Sequence, residues 1–199
     1  QFWNYGSGTW VERMRINSAG NLGLGVTPSA WNTAFKAFES SAGALTSQST
    51  TNLRIWQNSY IDSGATIRYI NAAAATGYEL ASGVHKWYSA PSGTAGAAIT
   101  FTQAMTLDAS GNLGLGVTPS AWQSGSKALQ LGAGSLWSYS TTEIGLEQNA
   151  YYNASGVYTY VANGYASEYY QYQGSHVWRT APSGTAGAVS YTHLTLPTI

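Results

Sequence analysis

Side chains able to carry acid–base chemistry are few in this chain. The eight acids are Glu12, Glu39, Asp62, Glu79, Asp108, Glu143, Glu147 and Glu168. Two carboxylates flanking a glycosidic bond are the usual machinery of sugar hydrolysis, so pairs of acids are the first pattern to seek. An internal repeat supplies the test. Asn21 aligns with Asn112, and the same offset of 91 residues runs without a gap from Met14/Met105 to Ala97/Ala188. At that offset the acids face Gln103, Gln130, Asn153, Tyr170, Asn17, Asn52, Trp56 and Gly77. No acid faces an acid. A catalytic dyad common to both copies is therefore excluded, as is a repeated carboxylate calcium site. Only a dyad confined to the second copy remains open, drawn from Glu143, Glu147 and Glu168. No catalytic residue is assigned.

His85 and His176 recur, each two residues before a tryptophan, which in a strand places both side chains on one face. No ligand partner repeats nearby, so a packed or hydrogen-bonded structural role is expected, and no metal site is assigned. Three copies meeting at an axis could bring such histidines together around a metal. Gly20-Asn21-Leu22-Gly23-Leu24-Gly25 has the spacing G-x-x-G-x-G, whereas dinucleotide loops read G-x-G-x-x-G between a strand and a helix. No Lys-Ser/Thr follows and Pro28 leaves little helix, so no cofactor is expected. Alternating glycines in a strand mark a close approach of backbones instead.

Aromatic residues are the remaining candidates, because their rings stack on sugar faces while Asn, Gln and Ser bond hydroxyls. Trp31/Trp122 and Trp87/Trp178 recur and are assigned to the core of each unit. Among the aromatics that differ between copies, those singled out are Trp56, Trp137, Tyr152, Tyr158, Tyr165, Tyr170 and Tyr172. These are the expected glycan-contact residues on an exposed surface, although strand tyrosines also serve cross-strand packing.

The repeat organises the elements that must position these groups. Gly20 to Trp31 returns letter for letter at Gly111 to Trp122, and about half of the aligned positions are identical. A period near 91 is too long for one solenoid turn, so each copy reads as a small domain in a tandem row. The expected divisions are 1–13 as the remnant of a preceding copy, 14–104 as unit one, 105–188 as a truncated unit two, and 189–199 as a tail. Val189-Ser190-Tyr191-Thr192-His193-Leu194-Thr195-Leu196-Pro197-Thr198 looks like a translated transposase sequencing adapter, so the tail is left out of site reasoning. The start at Gln1 suggests a fragment.

Met105 and Leu107 alternate with Thr106 and Asp108, Asp108-Ala109-Ser110-Gly111 has type I turn chemistry, and Leu113 and Leu115 alternate with Gly114 and Gly116. This predicts a β-hairpin in each copy. Thr27-Pro28-Ser29-Ala30-Trp31 predicts at most a short helical turn. Asn71 to Ala75 hints at helix, but its counterpart does not, so both read as turns. Short alternating runs broken by Gly-rich turns about every ten residues predict an all-β fold of antiparallel sandwich or prism-like units.

Charged residues are 8% of the composition, against about 25% in a typical domain, and the formal net charge is zero. That composition excludes the basic stripe a nucleic-acid binder needs. No apolar run is long enough for a helical membrane span. Cysteine is absent, so the fold uses neither disulfides nor thiolate metal sites.

The segments Met14-Arg15-Ile16-Asn17-Ser18-Ala19-Gly20-Asn21-Leu22-Gly23-Leu24-Gly25 and Met105-Thr106-Leu107-Asp108-Ala109-Ser110-Gly111-Asn112-Leu113-Gly114-Leu115-Gly116 resemble the shaft proteins of bacteriophage tail fibres and tail spikes. Many of these carry Met-x-Ile/Leu-x-x-x-Gly-Asn-x-Gly-Ile-Gly-Thr/Val-x-Pro, often upstream of an endosialidase-type intramolecular chaperone. The run Trp-x-x-Ala-Pro-Ser-Gly-Thr-Ala-Gly-Ala also looks like fibre sequence. The resemblance covers about a dozen residues per copy. It implies a β-rich fibrous homotrimer on the virion, outside the cell, contacting other tail proteins and a host-surface glycan. A carbohydrate-binding module of a secreted bacterial adhesin and a polysaccharide-depolymerising tail spike stay open as alternatives.

Overall fold

The structure, a computed structural model, describes residues 1–188, and the adapter-like segment lies outside the described residues. The chain is all-β, and no helix is present among those residues. None is therefore long and apolar enough to cross a membrane. Two compact units divide between Ala104 and Met105.

In unit 1 the sheet contains β1 (Phe2–Gly6), β2 (Thr9–Ile16), β3 (Leu22–Leu24), β4 (Lys36–Ser40), β5 (Gly43–Ser49), β6 (Asn52–Gln57), and then, past an inserted ribbon, β9 (Ala75–Ala81) and β10 (Val84–Ala90). The ribbon is β7 (Ser59–Ile61) paired with β8 (Ile67–Tyr69). Residues 1–13, expected to be the remnant of another copy, form β1 and part of β2 within this unit. Unit 2 repeats the plan. Its strands are β11 (Thr102–Leu107), which straddles the division, β12 (Leu113–Leu115), β13 (Lys127–Leu131), β14 (Gly134–Ser140), β15 (Glu143–Gln148), β18 (Gly164–Tyr172) and β19 (Ser175–Gly184). Its ribbon is β16 (Ala150–Tyr152) with β17 (Tyr158–Tyr160).

The expected hairpin forms, with Met14 opposite Leu24 and Met105 opposite Leu115. Its turn closes through Gly20 N donating to Asn17 O at 2.9 Å and Gly111 N to Asp108 O at 3.0 Å. The next pairing is parallel: β3 on β4, and β12 on β13. A parallel pair needs a crossover rather than a tight turn. Gly25 to Phe35 is that crossover, and Thr27 to Trp31, where at most a short helical turn is expected, runs as irregular chain. Trp31 and Phe35 leave the crossover to enter the core with Ala37, Ala44, Trp56 and Ile61.

Three recurring residues hold this crossover. Buried Asn21 accepts a hydrogen bond on Oδ1 from Ala37 N at 3.0 Å, and Asn112 does the same for Ala128 N at 3.0 Å. A Cβ at Gly23 would overlap the Val26 carbonyl oxygen and stand 2.8 Å from Pro28 Cδ; at Gly114 it would overlap Val117 O. Lys36 Nζ donates to Ala19 O at 2.7 Å, tying the start of β4 to the hairpin turn.

The recurring Gln-Asn pair has a comparable role. Asn58 and Asn149 are buried and carry positive φ. Asn58 Oδ1 accepts from Asn71 N at 2.7 Å, and its Nδ2 donates to the carbonyls of Asn71, Ala73 and Ala74. This stretch, which reads ambiguously in the sequence, is thus a bend wrapped around one side chain. Asn149 holds Ala162 N and Tyr165 O in the same way. The Ala-Pro-Ser-Gly run is a seat for a ring: Tyr69 lies where Gly93 would carry a Cβ, and its hydroxyl donates to Pro91 O at 2.6 Å.

The motif glycine makes a clear prediction. Gly23→Ala and Gly114→Ala each force a backbone clash, so each should lower stability by about 2–4 kcal/mol, the range of strongly disruptive substitutions. Gly43→Ala meets only ordinary contacts at 3.6 Å or more and should change stability by less than about 1 kcal/mol. Denaturant midpoints of the three variants check this ordering.

Candidate functional site

The alternation of each strand divides its side chains between an inner and an outer face. On the inner face of unit 1 the opposed residues Ala44, Trp56, Gly77 and Tyr88 form one cross-strand row. Phe35, Ile61, Ile67 and Phe101 pack over this region and fill it. The same row in unit 2 is Ser135, Glu147, Glu168 and Arg179. At the positions aligned with Phe35, Ile61 and Ile67 stand Ser126, Tyr152 and Tyr158. An apolar filling has been exchanged for hydroxyls and charge on the same backbone plan.

The exchange opens a cavity of about 380 Å³. Among its walls are Trp137, Tyr152, Tyr158, Tyr170 and Tyr172, five of the seven aromatics expected to contact glycan. These come from β14, the ribbon and β18, so only the sheet brings them together. The other two stand apart. Trp56 is buried in the core of unit 1, where its Nε1 donates to Thr46 Oγ1 at 3.1 Å. Tyr165 is 72% exposed but does not line the cavity. The expectation that all seven share an exposed surface is corrected further: Trp137 and Tyr170 are also buried, because each points to the inner face and the two rings lie 6.4 Å apart. Trp137 can take this position because it crosses Gly145, where any Cβ would be 2.7 Å from the indole.

The assignment of recurring tryptophans to the core holds for Trp31 and Trp122 only. Trp178 is 45% exposed and Trp87 is half-buried. Both occupy the outer face, opposite Tyr169 and Tyr78 respectively. Recurrence marked a repeated surface there. The histidines are hydrogen-bonded: His85 Nδ1 and His176 Nδ1 each lie 2.5 Å from a tyrosine hydroxyl, Tyr78 and Tyr169. Among the described residues no three His, Cys, Asp or Glu side chains gather as a metal site would require.

Glu143, one of the acids left open by the sequence, completes the cavity wall with Arg179, Tyr139, Gln123 and Ser126, which were not singled out there. The only signal of those four was divergence from Tyr88, Gln48, Asn32 and Phe35 at the aligned positions. Arg179 Nη1 donates to Tyr158 Oη at 3.0 Å and to Glu168 Oε2 at 3.4 Å, while Nη2 donates to Tyr170 Oη. The guanidinium lies 4.6 Å from the Tyr170 ring centre, a cation–π contact. Tyr158 donates to Glu168 Oε1 at 3.0 Å. Burial, followed by the negative charge of Glu168, pushes the Tyr158 hydroxyl well above its usual pKa, so it stays a donor.

Glu147 and Glu168, two of the three acids left open by the sequence, are directly opposite one another. Glu147 is 4% exposed and neither carboxyl oxygen has a partner. Burial raises its pKa to about 9, with repulsion from Glu168 adding to the effect. Burial raises Glu168 as well, opposed by Arg179. Neither carboxylate lines the cavity; Glu143 does. Hydrolysis between two flanking acids needs both at the scissile bond. The wall as built offers ring faces, hydroxyls, one guanidinium and a single carboxylate. Compared with known proteins, the chain matches no family model, no curated sequence and no solved structure.

The raised Glu147 pKa carries a stability prediction. The folded state holds this proton up to about pH 9, whereas the unfolded chain releases it near the ordinary glutamate value of 4.5. The stabilising contribution is complete below the unfolded value and is lost as pH rises toward the folded one. Between those limits the slope should approach about 1.4 kcal/mol per pH unit. Glu147→Gln keeps the shape without the proton and should flatten that dependence. Denaturant unfolding from pH 5 to 9 tests it; equal slopes for both proteins would reject the assignment.

Proposed function

We propose that this chain is a structural and adhesive segment of a phage tail fibre, assembled as a homotrimer on the virion and bearing a glycan-contact site in unit 2. The observation that carries the reading is the outer face of the sheet in each unit. In unit 1 the directly opposed residues are Ile16, Leu22, Phe38, Leu45, Ile55, Tyr78 and Trp87, one from each of seven neighbouring strands. In unit 2 the row is Leu107, Leu113, Leu129, Leu136, Leu146, Tyr169 and Trp178. None of these residues is buried. From β3 to β10 the sole charged side chain on the outer face of the unit 1 sheet is Lys36, and from β12 to β19 in unit 2 it is Lys127.

Rows of exposed leucine and tryptophan without charge are unusual on a monomer and common in the centre of obligate interfaces. A shallow groove of about 460 Å³ along Leu136, Leu146, Tyr169 and Trp178 gives the face relief into which another copy can interdigitate. Because the row returns at the same offset as the sequence repeat, a copy that fits one unit fits the next. A chain assembled in this way extends without new interface chemistry, as a fibre requires. The Gly-Asn-x-Gly-x-Gly resemblance supports the phage assignment, and the unit 2 cavity supports contact with a host-surface glycan. The same cavity would serve a secreted bacterial adhesin, and the genes beside this one would distinguish the two sources.

Self-association is the accessible test. The 199-residue chain should sediment as a trimer. Leu136→Lys with Leu146→Lys should yield monomer, because burying two unpaired ammonium groups costs several kcal/mol each. A wild-type chain that stays monomeric at tens of micromolar while folding cooperatively would reject the reading.

A further inference from the structure

The charge inventory of the unit 2 cavity restricts what kind of sugar it accepts. Arg179 is the one cation in the described wall. Its Nη groups are engaged by Tyr158, Tyr170 and Glu168, and its Nε is buried out of reach of the cavity's solvent, without a hydrogen-bond partner. The positive charge is thus turned inward and balanced by Glu168. Glu143 stands in the wall with no cation among the other lining residues to balance it. Gln123 and Ser126 add uncharged donors and acceptors, and Tyr152 and Tyr158 meet edge to face at 4.9 Å, giving a rigid aromatic corner.

We infer that this cavity binds a neutral hexopyranose, one or two rings in length, and discriminates against sugars carrying a carboxylate or sulfate. The inference rests on the glycan-contact reading above. A pyranose presents axial C–H bonds to the aromatic rings and pairs of adjacent hydroxyls at its rim. Glu143 accepts from such a pair, since an ionised carboxylate takes two donors side by side. An anionic sugar would place its charge against Glu143 and find Arg179 already neutralised. The volume fits the scale of small-ligand sites, which begins near 300 Å³. Unit 1 has no such site, because Phe35, Ile61 and Ile67 occupy the aligned positions.

Calorimetric titration of the full chain with neutral oligosaccharides, and with the same backbones bearing uronic or sialic acid, tests the inference. Neutral sugars should bind at least about tenfold more tightly than their acidic counterparts, the scale of one charge-assisted hydrogen bond gained or lost. Glu143→Gln should weaken neutral binding by about tenfold and narrow the gap to acidic sugars. If Glu143→Gln does not fold, Tyr172→Ala, at a half-exposed position on the rim, should still lower neutral affinity. Equal or tighter binding of acidic sugars would overturn the inference and leave glycan contact standing. Absence of binding to every sugar would overturn both.

Discussion

The parallel pairing of the motif strand with the strand that follows the crossover is the constraint on which each unit depends. It is held by one buried side-chain hydrogen bond, Asn21 to Ala37 N or Asn112 to Ala128 N, and by a glycine that lets the crossover carbonyl come within contact. Once Leu22 stands opposite Phe38, strand alternation decides the rest. Ala37 and Glu39 turn inward, Phe38 turns outward, and each later strand inherits that parity through its register. A slip by one residue would exchange the two faces completely. This explains why the least variable twelve residues of the repeat carry no reactive group: they set the register.

The two faces then diverge in use. The outer face is nearly the same in both units, aliphatic at the centre and ending in a Tyr–Trp pair whose tilted rings lie about 5 Å apart. The inner face differs. Unit 1 closes it with Trp56 over Gly77 and an apolar filling, and holds Glu39 by three donors from Ser29 and Trp31. Unit 2 replaces Glu39 with Gln130 and Trp56 with Glu147, leaving Trp122 Nε1, Trp137 Nε1, Ser135 Oγ and both Glu147 oxygens without partners. Buried polar atoms of this kind lower stability, and native proteins keep them where function requires. Unit 1 completes the plan with an apolar filling, and unit 2 completes it with polar and charged side chains.

A repeated chain lets one copy serve as the control for the other. Identity between copies identified shared architecture, and divergence identified specialisation, but neither stated which side of the sheet a residue occupied. Trp87 and Trp178 recur because the outer face recurs, whereas Trp56 and Trp137 vary because two different partners, Gly77 and Gly145, receive them on the inner face. Recurrence separates common from special. It does not separate buried from exposed.

The all-β class, the offset of the repeat, the hairpin and its turn, and the aromatics worth attention were all legible in the order of residues alone. These follow from local rules: alternation of period two, Asp-x-x-Gly turn chemistry and letter-for-letter identity. Long-range packing was needed to show that Thr27–Trp31 belongs to a crossover, that Asn58 organises a distant bend, and that five of the seven selected aromatics line one cavity. Each of those outcomes depends on which strands become neighbours, and the parallel crossover and inserted ribbon set that order through contacts far apart in the chain.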